Sequence, residues 1–139
     1  MTDFCAPSAE QIRALLTRVR IIAIVGLSPK PGRPSHGVAR ALQAFGYRIV
    51  PVRPAVESIL GEPCYARLED IPFPVDLVDV FRAPQHVPEV VESCLAIHAP
   101  ALWLQDGVIH EAAALRAQSA GLLVVMDRCI YRDYQQFMR

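Results

Sequence analysis

The sequence predicts an α/β fold, a single doubly wound domain of about five parallel strands with helices on both faces. Two observations carry that expectation. Short runs that are apolar on both sides, "RIIAIVG", "YRIVPV", "VDLVDVF", "ALWLQ" and "LLVVM", read as strands buried from above and below. Stretches with apolar residues at helical spacing alternate with them, and such alternation requires right-handed crossovers that leave helices on each face.

Each element follows in order. Ser8 and Gln11 fit a capping box ahead of a helix over about 8–19, with Ile12, Leu15, Leu16 and Val19 on its inward stripe. "RIIAIVG" is the first strand. Ser35 is expected to cap the second helix, whose stripe is Val38, Ala39, Leu42 and Phe45, and Gly46 stands where a left-handed residue ends it. After "YRIVPV" comes a turn-rich stretch from Arg53 to Pro74, with a short helix expected near Ala55 to Leu60. "VDLVDVF" is the third strand, and Val87, Val90, Val91 and Leu95 mark a helix between Gln85 and His98. "ALWLQ" is the fourth strand, and Glu111 to Ser119 a helix closed by Gly121. "LLVVM" is the fifth strand, with Asp127 placed to cap a last helix toward Phe137. No linker or repeat interrupts residues 1–139, which read as one domain.

Composition narrows the partners. Fourteen basic and fourteen acidic side chains give a formal net charge of zero, so broad attraction to nucleic acid or an anionic membrane is not expected. No apolar run approaches the ~20 residues of a membrane span, and "MTDFCAPSAEQ" lacks the basic-then-apolar signature of a secretory signal. Cys5, Cys64, Cys94 and Cys129 form no CxxC pair. They read as reduced thiols of a cytoplasmic protein, with neither disulfide nor metal site expected.

In doubly wound sheets, ligands bind beyond the carboxyl ends of the strands. Those ends here are "GLSPKPGRPSH", "PVRP", "FRAP", "QDGV" and "DRC", and arginine recurs among them. The first loop fits no standard phosphate cradle. The dinucleotide fingerprint GxGxxG meets Ser28 at its second glycine, and the P-loop, GxxxxGK, meets Pro31 at its own. The hydrolase elbow GxSxG fits as far as Gly26-Leu27-Ser28. Lys30 then replaces glycine, and Pro29 has no N–H to offer an oxyanion hole, so Ser28 is not a nucleophile.

A preshaped anion site remains. Gly26 lets the chain turn and a ligand come close. Pro29, Pro31 and Pro34 stiffen the loop before binding. Ser28 and Ser35 supply hydroxyls, Lys30 a positive charge, and the following helix its unpaired N–H groups. At the second strand end, Arg53 stands where an NAD site carries a carboxylate for the ribose hydroxyls. Arginine suits a phosphorylated ribose instead, and both NADP and coenzyme A (CoA) have one.

With these residues the chain resembles the small stand-alone CoA-binding proteins, similar in fold to the CoA-binding domain of the succinyl-CoA synthetase alpha subunit. The resemblance spans roughly Ile12 to Phe137 and rests on "VGLSPKPGRPSH", "YRIVPVRP", "VDLVDVFR", "WLQDGV" and "VVMDRC" in order. It implies a Rossmann-like domain that holds CoA or an acyl-CoA across its strand ends. Gly26, Leu27, Ser28 and Lys30 would lie against the phosphates. Pro51, Val52, Arg53 and Pro54 would border the adenosine, and Val80, Phe81 and Arg82 would wall the adenine side. Gln105 and Gly107 would line the route toward the pantetheine. The family usually has asparagine where Arg53 stands, so that contact is either lost or replaced by an arginine–phosphate pair. The histidine that the synthetase phosphorylates belongs to a separate domain, so ligase activity does not transfer.

Other residues suggest chemistry without completing it. "HEAAA" at His110 opens like the zinc motif HExxH but has Ala114 at its fifth position. His36, His86 and His98 have no partner at ligand spacing. His36 reads as a solvated helix-start residue, with ligand contact as the alternative. Trp103 reads as core, and Arg128 as reaching either the pocket or solvent. Cys129, at the start of the last helix, is read as structural, with a mixed disulfide to a CoA thiol as the lesser reading. No nucleophile–base pair, carboxylate pair or metal set is evident, so a non-catalytic module, a CoA carrier or sensor, is expected. The alternative is an NADP-dependent oxidoreductase or redox-sensing domain, which would share Arg53 but lacks the glycine fingerprint. Action only with a partner chain or a second copy stays open.

Overall fold

The computed structural model describes residues 3–138; residues 1, 2 and 139, at the ends of the expected domain, lie outside it. The chain runs α1 (Ala9–Arg18), β1 (Ile21–Val25), α2 (Pro34–Ala44) and β2 (Arg48–Val52), then a small hairpin of β3 (Ser58–Ile59) and β4 (Glu62–Pro63). It continues through β5 (Leu77–Val80), α3 (Val87–Ala96), β6 (Ala101–Leu104), α4 (Glu111–Ser119), β7 (Leu123–Val125) and α5 (Ile130–Phe137). The five long strands form one parallel sheet in the order β2-β1-β5-β6-β7. The chain leaves β1 outward to β2 and returns on the other side as β5, so the strand order reverses between β1 and β5. That crevice is where doubly wound sheets of this order hold ligands.

Side chains alternate between two cores. Ala23, Val25, Val78, Val80, Leu102 and Leu104 join α3 and α4 on one face; Ile22, Ile24, Leu77, Ala101 and Trp103 join α1, α2 and α5 on the other. Burial on both faces explains why these strands are apolar without alternation. Two tethers set the sheet's ends. Asp76 Oδ2 accepts from the N–H groups of Arg20 and Ile21 at 2.9 Å each, pinning the entry to β1. Trp103, fully buried as expected of a core residue, donates Nε1–H to the Arg128 carbonyl at 2.8 Å.

Most expected elements hold. The capping box of Ser8 and Gln11 is formed, and Gly46 and Gly121 end α2 and α4 at φ +105° and +103°. Three local expectations are corrected. No helix forms from Ala55 to Leu60: both of those residues adopt left-handed φ, 62° and 54°, and the chain folds into the β3–β4 hairpin. Ser35 does not cap α2, because Pro34 occupies the first turn and Arg33 is the cap residue, without a side-chain cap bond. Asp127 does not cap α5, which follows Cys129. It is held at φ 59°, and its carboxylate accepts from the Gly107 N–H at 2.7 Å.

Candidate functional site

Gly26 closes β1 and creates the opening. Its N–H reaches back to the Val52 carbonyl at 3.0 Å, while its φ of +83° turns the chain away between β2 and β5. A Cβ at this position would lie 2.5 Å from the Phe81 carbonyl oxygen, so only glycine lets the three strand ends converge. Two cavities meet there. The larger, ≈ 830 Å³, lies over the face of α3. Val25, Val52, Leu68, Phe81 and Val90 form its apolar wall, and Arg53, Arg67, Arg82, His86, Glu69, Glu89 and Ser93 its polar lining. The smaller, ≈ 440 Å³, sits over the start of α2, between Ser28, Pro29, Lys30, Arg33, Pro34 and Ser35. Gly26, Arg53 and Phe81 line both, so the two form one groove across the β1/β5 crevice.

The halves differ in charge. In the larger, cations and carboxylates compensate: Arg82 approaches Glu89 at 4.0 Å, His86 Nδ1 lies 3.2 Å from the same carboxylate, and Ser93 donates to Glu69 at 2.9 Å. In the smaller, Lys30, Arg33 and Arg53 converge with no carboxylate in the lining, and none of the three forms an ion pair among the described residues. Ser35, buried in the first turn of α2, instead accepts from the Ser28 N–H at 2.9 Å, and Ser28 Oγ accepts from the Lys30 N–H at 3.1 Å. Each hydroxyl thus shapes the loop as an acceptor and keeps its own O–H to donate. The uncapped first turn of α2 adds backbone N–H groups and the positive end of the helix dipole. Three cations, two hydroxyl donors and a helix start suit phosphate.

Of the residues expected at the site, Gly26, Ser28, Lys30, Ser35, Val52, Arg53, Pro54, Phe81 and Arg82 line the groove. Leu27, Pro51 and Val80 do not. Leu27 and Val80 are fully buried, and Pro51 lies within β2 with its carbonyl accepting from Tyr65 at 3.0 Å. Gln105 and Gly107 also lie outside both cavities: Gln105 is buried and donates to Asp79, and Gly107 is bound to Asp127. His36 is buried rather than solvated. Arg128 turns to Asp133, with bonds of 2.6 and 2.9 Å. His110 caps α4, its Nδ1 accepting from Ala113 at 3.1 Å. The four cysteines are free, no group of three or more metal-ligating side chains forms among the described residues, and no helix is long and apolar enough to cross a membrane.

Arg33, Arg67, Glu69, His86, Glu89 and Ser93 enter the lining without having been expected there. Arg33 had a signal, a third cation in the same basic loop. The other five come from two 3-10 turns, Leu68–Asp70 with its cap residue Arg67 and Pro84–His86, and from α3, which the crossover brings over the sheet, and no local pattern marks them.

The strand order and the groove define a Rossmann-like α/β domain with a basic groove at its switch point. The chain belongs to the CoA binding domain family, whose model matches residues 20–135. It is 41% identical over 124 residues to the uncharacterized protein YneT of Bacillus subtilis, covering 89% of this chain and 92% of that one. A solved hypothetical protein from Pyrococcus horikoshii OT3 superposes with a TM-score of 0.92 at 35% identity, over 100% of both chains. Acetate–CoA ligase (ADP-forming) I of Archaeoglobus fulgidus is 33% identical over 75 residues, which is 54% of this chain but 11% of the ligase. That similarity is to a small part of the ligase.

Proposed function

We propose that the groove binds CoA or an acyl-CoA and that the domain is a non-catalytic module, a carrier or sensor of that ligand. The observation that carries this reading is the division of one groove into a wholly basic half and a half with an apolar wall. The pyrophosphate fits the basic half, met by Lys30, Arg33, the two serine hydroxyls and the start of α2. The adenine fits against Val25, Val52, Leu68 and Phe81, and the ribose phosphate falls to Arg53, which lines both halves. The groove lining holds no cysteine, its Ser93 is bonded to the Glu69 carboxylate with no histidine hydrogen-bonded to either, and its histidine is engaged by Glu89, which supports binding without chemistry.

The test is calorimetric titration of the protein with CoA, dephospho-CoA, NADP and NAD in one buffer. CoA is expected to bind about 100-fold more tightly than dephospho-CoA, equivalent to ~2.7 kcal/mol, and Arg53→Ala to erase most of that difference. NADP binding without CoA binding would overturn the reading in favour of an oxidoreductase or redox-sensing domain, which Arg53 also suits.

A further inference from the structure

Asp79 lies in the middle of the apolar strand β5, wholly buried, and its Oδ2 is the one fully buried side-chain oxygen or nitrogen among the described residues without a hydrogen-bond partner. Its other oxygen accepts from Gln105 Nε2. Both side chains belong to the face covered by α1, α2 and α5, since Leu77 and Trp103, two residues earlier on each strand, join that core. Gln105 stands just past the end of β6, at the carboxyl edge of the sheet. The residue is 4% exposed, and its Oε1, which takes no hydrogen bond from the described residues, is the amide atom turned away from Asp79.

The chemistry of this pair depends on one proton. A carboxylate only accepts, so Gln105 must turn its NH₂ inward and its carbonyl outward. A carboxylic acid has an O–H to donate, and the same amide, turned over, would present a carbonyl to accept it. We propose that Asp79 is a positioning residue whose protonation, by a proton from solvent, decides which end of the Gln105 amide faces outward. The carbonyl faces outward when Asp79 is ionised, and the NH₂ when it is protonated. On the reading that CoA occupies the groove, and with its pantetheine extending beyond both cavities along the strand ends to Gln105, this amide meets a chain that carries amides of its own. Its orientation then selects between their carbonyls and their N–H groups.

The surroundings suit such a switch. Burial pushes the carboxyl up to about 7, against weaker opposing pulls from the Gln105 amide and the Val80 N–H. Ile24 and Trp103 flank Asp79 in the sheet. From the covering helices, α1 contributes Ile12, Leu15 and Leu16, and α2 brings the buried His36. The α5 side brings Asp133, already neutralised by Arg128. No charged side chain acts on the Asp79 carboxyl.

The test follows the ligand-free protein by NMR from about pH 5 to about pH 9, reading the Asp79 carboxyl carbon and the Gln105 side-chain amide. Both are expected to shift with one midpoint, and the Gln105 signals of Asp79→Asn to stay flat. A Gln105 amide that does not move while Asp79 titrates, or an Asp79 that does not titrate in that range, overturns the proposal. In the ligand arm, the ratio of CoA affinities between wild type and Asp79→Asn is expected to change about tenfold from about pH 6 to about pH 8, the effect of one mismatched hydrogen bond. A constant ratio overturns the role of the amide in binding. Failure of CoA to bind at any pH would instead remove the groove reading, while the ligand-free spectra still decide the switch.

Discussion

The α carbon of Gly26 and the carbonyl of Phe81 are so close that a side chain on the first would strike the second, with a Cβ lying 2.5 Å from the oxygen. Three strand ends converge through this one contact, and the groove opens beside it. Gly26→Ala also forces φ of +83° on an L-residue. The expected cost is more than about 2 kcal/mol of stability, read from the urea unfolding midpoint, together with weakened CoA binding in the folded fraction. Wild-type stability in this variant would show that the strand ends separate freely.

Arg33 is exposed and forms no ion pair among the described residues, so little of the fold depends on its charge. Arg33→Ala is expected to weaken CoA binding about 5–20-fold while stability changes by less than about 0.5 kcal/mol. The salt dependence of binding should flatten as well, because one cation fewer meets the phosphates. Unchanged affinity and salt slope would mean that the anion lies elsewhere.

Asp79 sets a pH dependence of stability. Its carboxyl titrates at about 7 in the fold against an ordinary 3.8, so between those values the folded chain holds a proton that the unfolded chain has released. Stability therefore falls as pH rises from about 4 to about 7, by on the order of 4 kcal/mol. Asp79→Asn, which has no proton to lose, should remove this slope in denaturant titrations. An unchanged slope would trace the effect to other groups.

Asp133 is buried, with Arg128 as its bidentate partner. Asp133→Asn keeps the shape but removes the charge that holds the guanidinium, which is itself partly exposed. A loss of about 1–2 kcal/mol is expected, the low side of a buried pair because solvent screens Arg128. The indole N–H of Trp103, bound to the Arg128 carbonyl, should exchange faster in the same variant.

Most of what local chemistry decides is legible in the sequence. The five apolar runs are the five strands, the Ser8–Gln11 box starts α1, and α4 spans Glu111–Ser119 as expected. The basic loop and Arg53 mark the basic half of the groove in advance. Misreadings fall where distant contacts override local preference. Ala55 and Leu60 adopt left-handed φ although neither residue type favours it. Asp127 reaches across to Gly107 rather than to its own helix. Two features have local signals of their own. Pro34 in the first turn marks Arg33, one residue earlier, as the cap of α2, and Asp79, the second of two aspartates in "VDLVDVF", stands between apolar neighbours where a carboxyl must be buried.

The two edges of the sheet are finished differently. Along β2, Arg53 and Pro51 exchange backbone bonds with Tyr65 at 2.8 and 3.0 Å, so the segment after the hairpin seals that side. β7 is three residues long and pairs only with β6 among the described strands. Deuterium should therefore enter the sheet from the β7 side and move inward. The amides of β1 and β5, enclosed by neighbours on both sides, should be the last to exchange.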